Sequence, residues 1–212
     1  MINNLEISDA VNRCAVAYDN PDRVYKNEQV VFTKSPRGLT VSIAGSNDII
    51  DWLQNVKTKQ VKLGKWWLSE GVLSAAQNVI TITNEFRAAN ENKKLFSKPL
   101  SFEGHSKGGA VAIACGMISA VRHNEVSRVV TFAAPRITTL KSEYPFPLFQ
   151  FVASGDPVPN LPPWRPWKPW RHNGRVTTVG RQSAAEFAAK YSPFIGPIRK
   201  HLIKNYVSLF GV

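Results

Sequence analysis

Residues 104–109 read Gly104-His105-Ser106-Lys107-Gly108-Gly109, the most informative stretch of this chain for its fold. It follows a short apolar run that ends in Leu100-Ser101-Phe102-Glu103 and opens an alanine-rich run over 110–121 that predicts a helix. A serine between a strand and a helix sits in a sharp turn, and glycines two positions before and after it leave room for that turn. Gly-x-Ser-x-Gly alone is a weak pattern, but the flanking strand and helix make Ser106 a candidate nucleophile.

Apolar runs that predict strands alternate along the chain with periodic runs that predict helices. Buried strands in such an alternation favour an α/β fold with three layers, in which helices cover both faces of a mainly parallel sheet. No Gly-x-Gly-x-x-Gly follows a first strand, so nothing supports a dinucleotide site. The predicted strands are 29–34, 39–45, the run before Ser106, 128–133, 148–153 and 176–179, and the predicted helices are 8–18, 48–56, 68–88, 110–121, 184–191 and 198–209.

The length and composition of the chain limit its organisation and its partners. With 212 residues and no visible linker, we expect a single domain over 1–212. The net charge of +12 favours an anionic partner, such as a phospholipid surface, a nucleic acid or an acidic polymer. We expect no nucleic acid, because no recognition-helix, zinc-finger or RNA-binding signature is visible.

No signal peptide or transmembrane segment is visible in the sequence. Residues 1–6 lack a basic and then apolar leader, and no apolar stretch reaches 18 residues. We therefore expect a cytoplasmic protein or one released without a signal peptide, with membrane association left open. Cys14 and Cys115 lie far apart, and we expect both to be reduced.

A serine nucleophile needs a base to take its proton and a carboxylate to orient that base. Asp156 follows the strand 148–153 and should emerge at the same sheet edge as Ser106. Of the four histidines, His105 should point away from the serine and His123 lies at the far end of the next helix. The base is then His201 or His172, and the order Ser, Asp, His of α/β-hydrolases is met by both.

Four blocks of sequence together resemble the class 3 (fungal-type) triacylglycerol lipase family of α/β-hydrolases. The serine block is similar to the family's Gly-His-Ser-Leu-Gly-Gly-Ala. The other blocks are 41–48 with Asp51-Trp52-Leu53, the strand 130–136, and Asp156-Pro157-Val158-Pro159-Asn160-Leu161-Pro162-Pro163, followed by His201 with Tyr206 as the closing His-x-x-x-x-Tyr.

The resemblance implies a triad of Ser106, Asp156 and His201 that transfers an acyl group. It also implies an oxyanion hole formed by the backbone N–H groups of Ser46 and Lys107. Neither a metal nor an organic cofactor is expected. Two positions depart from the family pattern: Ala44 replaces an arginine, which should weaken support of the oxyanion loop, and Lys107 replaces a leucine. We expect the Lys107 ammonium to point into solvent, although it could instead add to the field near the site.

Residues 163–171 repeat the triplet Pro-Trp-cation three times. In a polyproline II helix, which has three residues per turn, the tryptophans would share one edge and the cations another. One interpretation is that Trp164, Trp167 and Trp170 dock the site on an anionic membrane. The other is a rigid loop whose tryptophans pack on the protein and line the acyl pocket. Trp52, also a candidate for binding substrate or membrane, belongs to the segment 48–56, which occupies the position of the family's lid helix and could instead be a fixed surface helix.

The leading hypothesis is a serine carboxylic ester hydrolase that cleaves lipid esters, as a triacylglycerol lipase or a phospholipase such as phospholipase A1. Two alternatives remain. One is a non-catalytic module that binds membrane or polyanion on a decayed hydrolase fold, and the other is a related serine thioesterase or peptidase.

Overall fold

The computed structural model describes residues 2–46, 59–138, 143–162, 170–172, 174–180 and 202–211. The predicted helices at 48–56 and 184–191 lie outside these ranges, as do residues 198–201 of the last predicted helix. The elements in chain order are α1 (Asn4–Asp19), β1 (Arg23–Tyr25), β2 (Glu28–Ser35), β3 (Gly38–Ile43), β4 (Gln60–Leu63), β5 (Trp66–Ser69), α2 (Glu70–Ala88), β6 (Leu100–His105), α3 (Lys107–Val121), β7 (Val126–Phe132), β8 (Leu148–Ala153), β9 (Val176–Val179) and α4 (Ile203–Leu209), with 3-10 turns at Asn90–Ser97 and Val158–Asn160.

Seven strands form one mainly parallel sheet, as the sequence predicts. Their order is β1-β2-β3-β6-β7-β8-β9. The first two pairings are antiparallel, and every pairing from β3 to β9 is parallel. The carboxyl ends of β6, β7 and β8 therefore meet at one edge, which is where ligand sites of open α/β sheets form.

Each face of the sheet is covered by helices. On one face, apolar side chains of α2 and α3 form a core with Val41, Phe102 and Val129. On the other face, side chains of α1 and the Tyr206 ring of α4 form a second core with Val130 and Phe132. Neighbours such as Val129 and Val130 point to opposite faces because side chains alternate along a strand. This arrangement is the three-layer α/β architecture.

The hairpin of β4 and β5 differs from the sequence-based prediction, which began a helix at residue 68. The helix α2 begins at Glu70 instead. Leu68 belongs to β5, where it pairs with β4 and forms a bridge with Thr138, and the Ser69 N–H donates to the Ile137 carbonyl at 3.1 Å. These pairings with distant segments override the local helical periodicity.

Candidate active site

Ser106 occupies a strained turn between β6 and α3. Its backbone has φ 56° and ψ −127°, a conformation that is costly for a residue with a Cβ atom. The Ser106 N–H donates to the Phe132 carbonyl at 2.8 Å, which ties the turn to the end of β7. A Cβ atom at Gly104 would collide with the backbone of Gly108, so the turn closes only because residue 104 is glycine. Ser106 is 1% exposed.

The segment 44–46 lies directly beside the serine. A Cβ atom on Gly45 would lie 2.9 Å from the Ser106 Cβ and would overlap the Tyr18 hydroxyl. The Ala44 N–H donates to the Gln29 carbonyl at 3.0 Å, so the end of β3 is still paired with β2 where the segment begins. Ser46, whose backbone N–H is the predicted oxyanion donor, is the next residue after Gly45. The predicted oxyanion segment is thus adjacent to the predicted nucleophile.

Lys107 is the first residue of α3, and amides in the first turn of a helix have no acceptor within the helix. Its N–H is therefore suited to stabilise an anion, and the helix dipole has the same effect. The Lys107 side chain does not point into solvent, which corrects the expectation from the sequence. Its Nζ lies 2.8 Å from Glu28 Oε1, and the two side chains are 9% and 5% exposed.

Asp156 is buried at the carboxyl end of β8. Its Oδ1 accepts the Val158 N–H at 2.9 Å, and its Oδ2 accepts the Tyr206 hydroxyl at 2.6 Å. That hydroxyl in turn accepts the Ala153 N–H at 2.9 Å. Burial, and then the negative charge of Asp156, raises the pKa of Tyr206, so the phenol remains a donor. The carboxylate is fixed from two directions.

The His105 ring, next to the serine in sequence, packs between two tyrosines. The Tyr18 hydroxyl lies 2.7 Å from His105 Nδ1, and the ring of Tyr206 meets the His105 ring edge-on at 5.5 Å between centroids. The pKa of Tyr18 is raised by burial and lowered in part by a hydrogen bond with the Gly45 backbone. Tyr18 thus joins α1 to both the serine strand and the segment 44–46. No sequence motif pointed to Tyr18.

Glu103 on β6 has the arginine partner that a buried carboxylate requires. Arg13 of α1 binds it with both ends of the guanidinium, Nε to Oε2 at 2.9 Å and Nη2 to Oε1 at 2.7 Å. Ser42 Oγ donates to Oε2 at 3.0 Å, and Arg128 Nη2 lies 4.0 Å from Oε1. Glu103 is fully buried, so this network is a structural support of the strand that leads to Ser106.

His172 makes a contact that bears on the choice of base. Its Nε2 lies 2.6 Å from the Pro159 carbonyl, which can only accept, so Nε2 carries the proton. Burial lowers the pKa of His172, an effect that the Pro159 carbonyl opposes and the nearby Arg136 charge adds to. The structure therefore engages one nitrogen of His172 as a donor. His201 lies outside the described residues, immediately before Leu202.

Among the three tryptophans of the triplet repeat, the structure describes Trp170. It is 3% exposed, and the following Arg171 N–H donates to the Thr138 carbonyl at 2.9 Å. Trp170 thus offers no face to a bilayer, which argues against the membrane interpretation at this residue and favours the interpretation in which it packs on the protein. Trp52, Trp164 and Trp167 lie outside the described residues. In the described part of the chain, no helix combines the length and the apolar character needed to cross a membrane.

Comparisons with known proteins agree with this architecture. The family model Lipase (class 3) matches residues 40–165. A search of curated proteins found no match. Solved structures with the same fold include a lipase from Rhizopus microsporus var. chinensis (17% identity, TM-score 0.69, 85% of this chain and 76% of that one). They also include Rhizomucor miehei triacylglyceride lipase (15% identity, TM-score 0.67, 97% of this chain and 92% of that one). A third is a Penicillium expansum triacylglycerol lipase (17% identity, TM-score 0.64, 85% of this chain and 82% of that one).

The matched segment spans more than half of the chain and contains both Ser106 and Asp156. Its parallel sheet, with a strained serine between the central strand β6 and the helix α3, is the α/β-hydrolase arrangement. The chain belongs to the class 3 lipase family of carboxylic ester hydrolases.

Proposed function

We propose that this protein hydrolyses lipid esters through an acyl-enzyme on Ser106, with His201 as base and Asp156 as the carboxylate that orients it. The observation that carries the proposal is the strained, buried serine at φ 56°, in contact with the glycine of the segment 44–46. Strain of this kind persists only where the surrounding structure enforces it, and it presents a hydroxyl above a sheet edge.

The proposed reaction uses these three side chains in turn. Ser106 Oγ attacks the ester carbonyl carbon while its proton passes to His201. The carbonyl oxygen becomes an oxyanion, which accepts hydrogen bonds from the backbone N–H groups of Ser46 and Lys107. Collapse of this intermediate expels the alcohol, which takes the proton from His201, and leaves an ester on Ser106. Water, deprotonated by His201, attacks that ester and releases the fatty acid.

Two observations favour His201 over His172. A triad histidine uses Nε2 to take the serine proton, and Nε2 of His172 already donates to the Pro159 carbonyl. Tyr206, five residues after His201 in the sequence, reaches Asp156 through its hydroxyl. The helix α4, which begins two residues after His201 in the sequence, is therefore anchored to the carboxylate through Tyr206.

We propose that the ester lies in an anionic lipid surface, as a triacylglycerol or a phospholipid. The net charge of +12 supports this choice, since each cation near an anionic membrane contributes about 1 kcal/mol of binding. Hydrolysis should then be faster on vesicles that contain phosphatidylglycerol than on phosphatidylcholine alone. The difference should shrink in high salt, and equal rates on both vesicles would remove the anionic preference.

The enzymatic proposal is tested with p-nitrophenyl esters and phospholipids. Ser106→Ala should abolish hydrolysis and labelling by a phosphonate probe, whereas Ser97→Ala, an exposed serine, should leave both unchanged. His201→Ala should lower kcat by about 1,000-fold or more, and His172→Ala by much less. Wild-type protein that is folded and neither hydrolyses nor labels would instead favour a non-catalytic binding module.

A further inference from the structure

The buried ion pair of Lys107 and Glu28 has no evident role in stability. Both charges are removed from water, and a buried pair is often no more stabilising than two apolar side chains of the same size. Lys107 Nζ also donates to the Asn27 carbonyl at 3.3 Å, so its position is defined by two partners. The class 3 family pattern has leucine at this position. Something other than packing must account for the ammonium.

The pair links the two backbone segments that hold the oxyanion donors. Lys107 itself supplies one N–H. Its partner Glu28 begins β2, and the register of β2 with β3 places Val30 opposite Ile43. The bond from the Ala44 N–H to the Gln29 carbonyl continues this ladder. Gln29, the residue after Glu28, is thus bonded to Ala44, two residues before Ser46. The side chains thus join the first residue of α3 to the strand that runs beside the other donor.

We propose that the Lys107–Glu28 pair is a positioning device that fixes the spacing of the two oxyanion N–H groups, an inference that rests on the proposed acyl transfer. Oxyanion donors act at about 2.7–3.1 Å, and a misplacement of about 1 Å can cost about 100-fold in rate. Ala44 has no long side chain that could brace the segment 44–46. Tyr18 holds this segment from α1 through the Gly45 backbone, and the Lys107–Glu28 pair adds a second brace through β2.

The pair also controls the charge beside the oxyanion. Glu28 Oε1 is neutralised by Lys107, and its Oε2 has no hydrogen-bond partner in the described part of the chain. Loss of the ammonium would leave an uncompensated carboxylate near the place where negative charge develops. Loss of the Glu28 charge alone would spare that repulsion. Lys107→Met should therefore reduce the rate more than Glu28→Gln does.

The experiment compares Lys107→Met, Glu28→Gln and the double variant Lys107→Met with Glu28→Met on a soluble p-nitrophenyl ester. Lys107→Met should lower kcat by about 10- to 100-fold with KM nearly unchanged. The rate of phosphonate labelling at Ser106 should fall in proportion. The control is Lys59→Met, which removes one partner of the exposed Lys59–Glu70 pair and should leave kcat at the wild-type value.

The double variant separates positioning from stability. An apolar pair should restore the melting temperature to near the wild-type value, also where Lys107→Met alone fails to fold. Its kcat should stay low, because the link between the two segments is absent. Recovery of both quantities would make the pair merely structural and overturn the inference. A folded Lys107→Met with wild-type kcat would overturn it while leaving the hydrolase proposal intact. Inert wild-type protein would overturn both.

Discussion

Replacing Tyr206 by Phe removes a single oxygen that makes two buried hydrogen bonds. The Ala153 N–H loses its acceptor, which costs about 1–3 kcal/mol for a buried donor, and Asp156 loses a charge-assisted bond of similar size. Taken together, the free energy of unfolding should fall by about 3 kcal/mol. For a chain of this length, that corresponds to a melting temperature lower by about 6–12 °C. Differential scanning calorimetry and urea unfolding measure both quantities.

Tyr25→Phe is the matched control, because it removes the same oxygen from an exposed tyrosine and should shift the melting temperature by less than about 2 °C. In Tyr206→Phe, the Val158 N–H still holds one oxygen of Asp156, so kcat should fall by about tenfold rather than to the level of Ser106→Ala. A melting temperature within about 2 °C of the wild type would refute the reasoning, since it would mean that neither buried bond contributes.

Three further perturbations test the support of the site. Arg13→Met leaves the buried carboxylate of Glu103 without its arginine and should lower the free energy of unfolding by about 3 kcal/mol, less whatever the remaining donors compensate. The double variant Arg13→Met with Glu103→Met should recover most of this free energy, as measured by urea unfolding. Gly45→Ala forces a methyl group against the side chain of Ser106 and should lower ester hydrolysis by about 100-fold; an active variant would show that the segment can move aside. Burial lowers the pKa of His172, so the unfolded chain binds its proton more readily, and stability should fall as the pH drops below about 6.5. In His172→Gln this part of the loss of stability at low pH should disappear. Identical stability–pH profiles for the variant and the wild type would contradict the prediction.

The parts of the site that depend on local sequence were predictable. Ser106 and Asp156 each follow a short apolar run, and strands that run parallel deliver their carboxyl ends to one edge, so the two residues reach the same edge. This inference requires only neighbours in the sequence and the geometry of parallel strands.

The partners that come from distant segments were not predictable. Lys107 and Glu28 lie 79 residues apart in the chain, and their contact follows from the pairing of β2 with β3 and the packing of α3 against it. From the sequence alone, the side chain of a lysine beside a nucleophile is expected to be exposed to solvent, because most lysines are exposed. For Trp170 the triplet pattern left an exposed edge and a packed loop both open, and its burial, next to the bridge of Arg171 with the distant Thr138, depends on such a contact between distant segments.

Three supports of the serine and the carboxylate come from outside the segment that matches the family model. Arg13 and Tyr18 lie on α1 and Tyr206 lies on α4, whereas the family model spans 40–165. The two helices also touch each other, since Ser8 Oγ donates to the Phe210 carbonyl at 2.7 Å. A recombinant fragment cut to 40–165 would keep the nucleophile and its acid but lose the layer that covers Phe132 and Glu103. The minimal unit for any engineered or truncated version must therefore include both flanking helices.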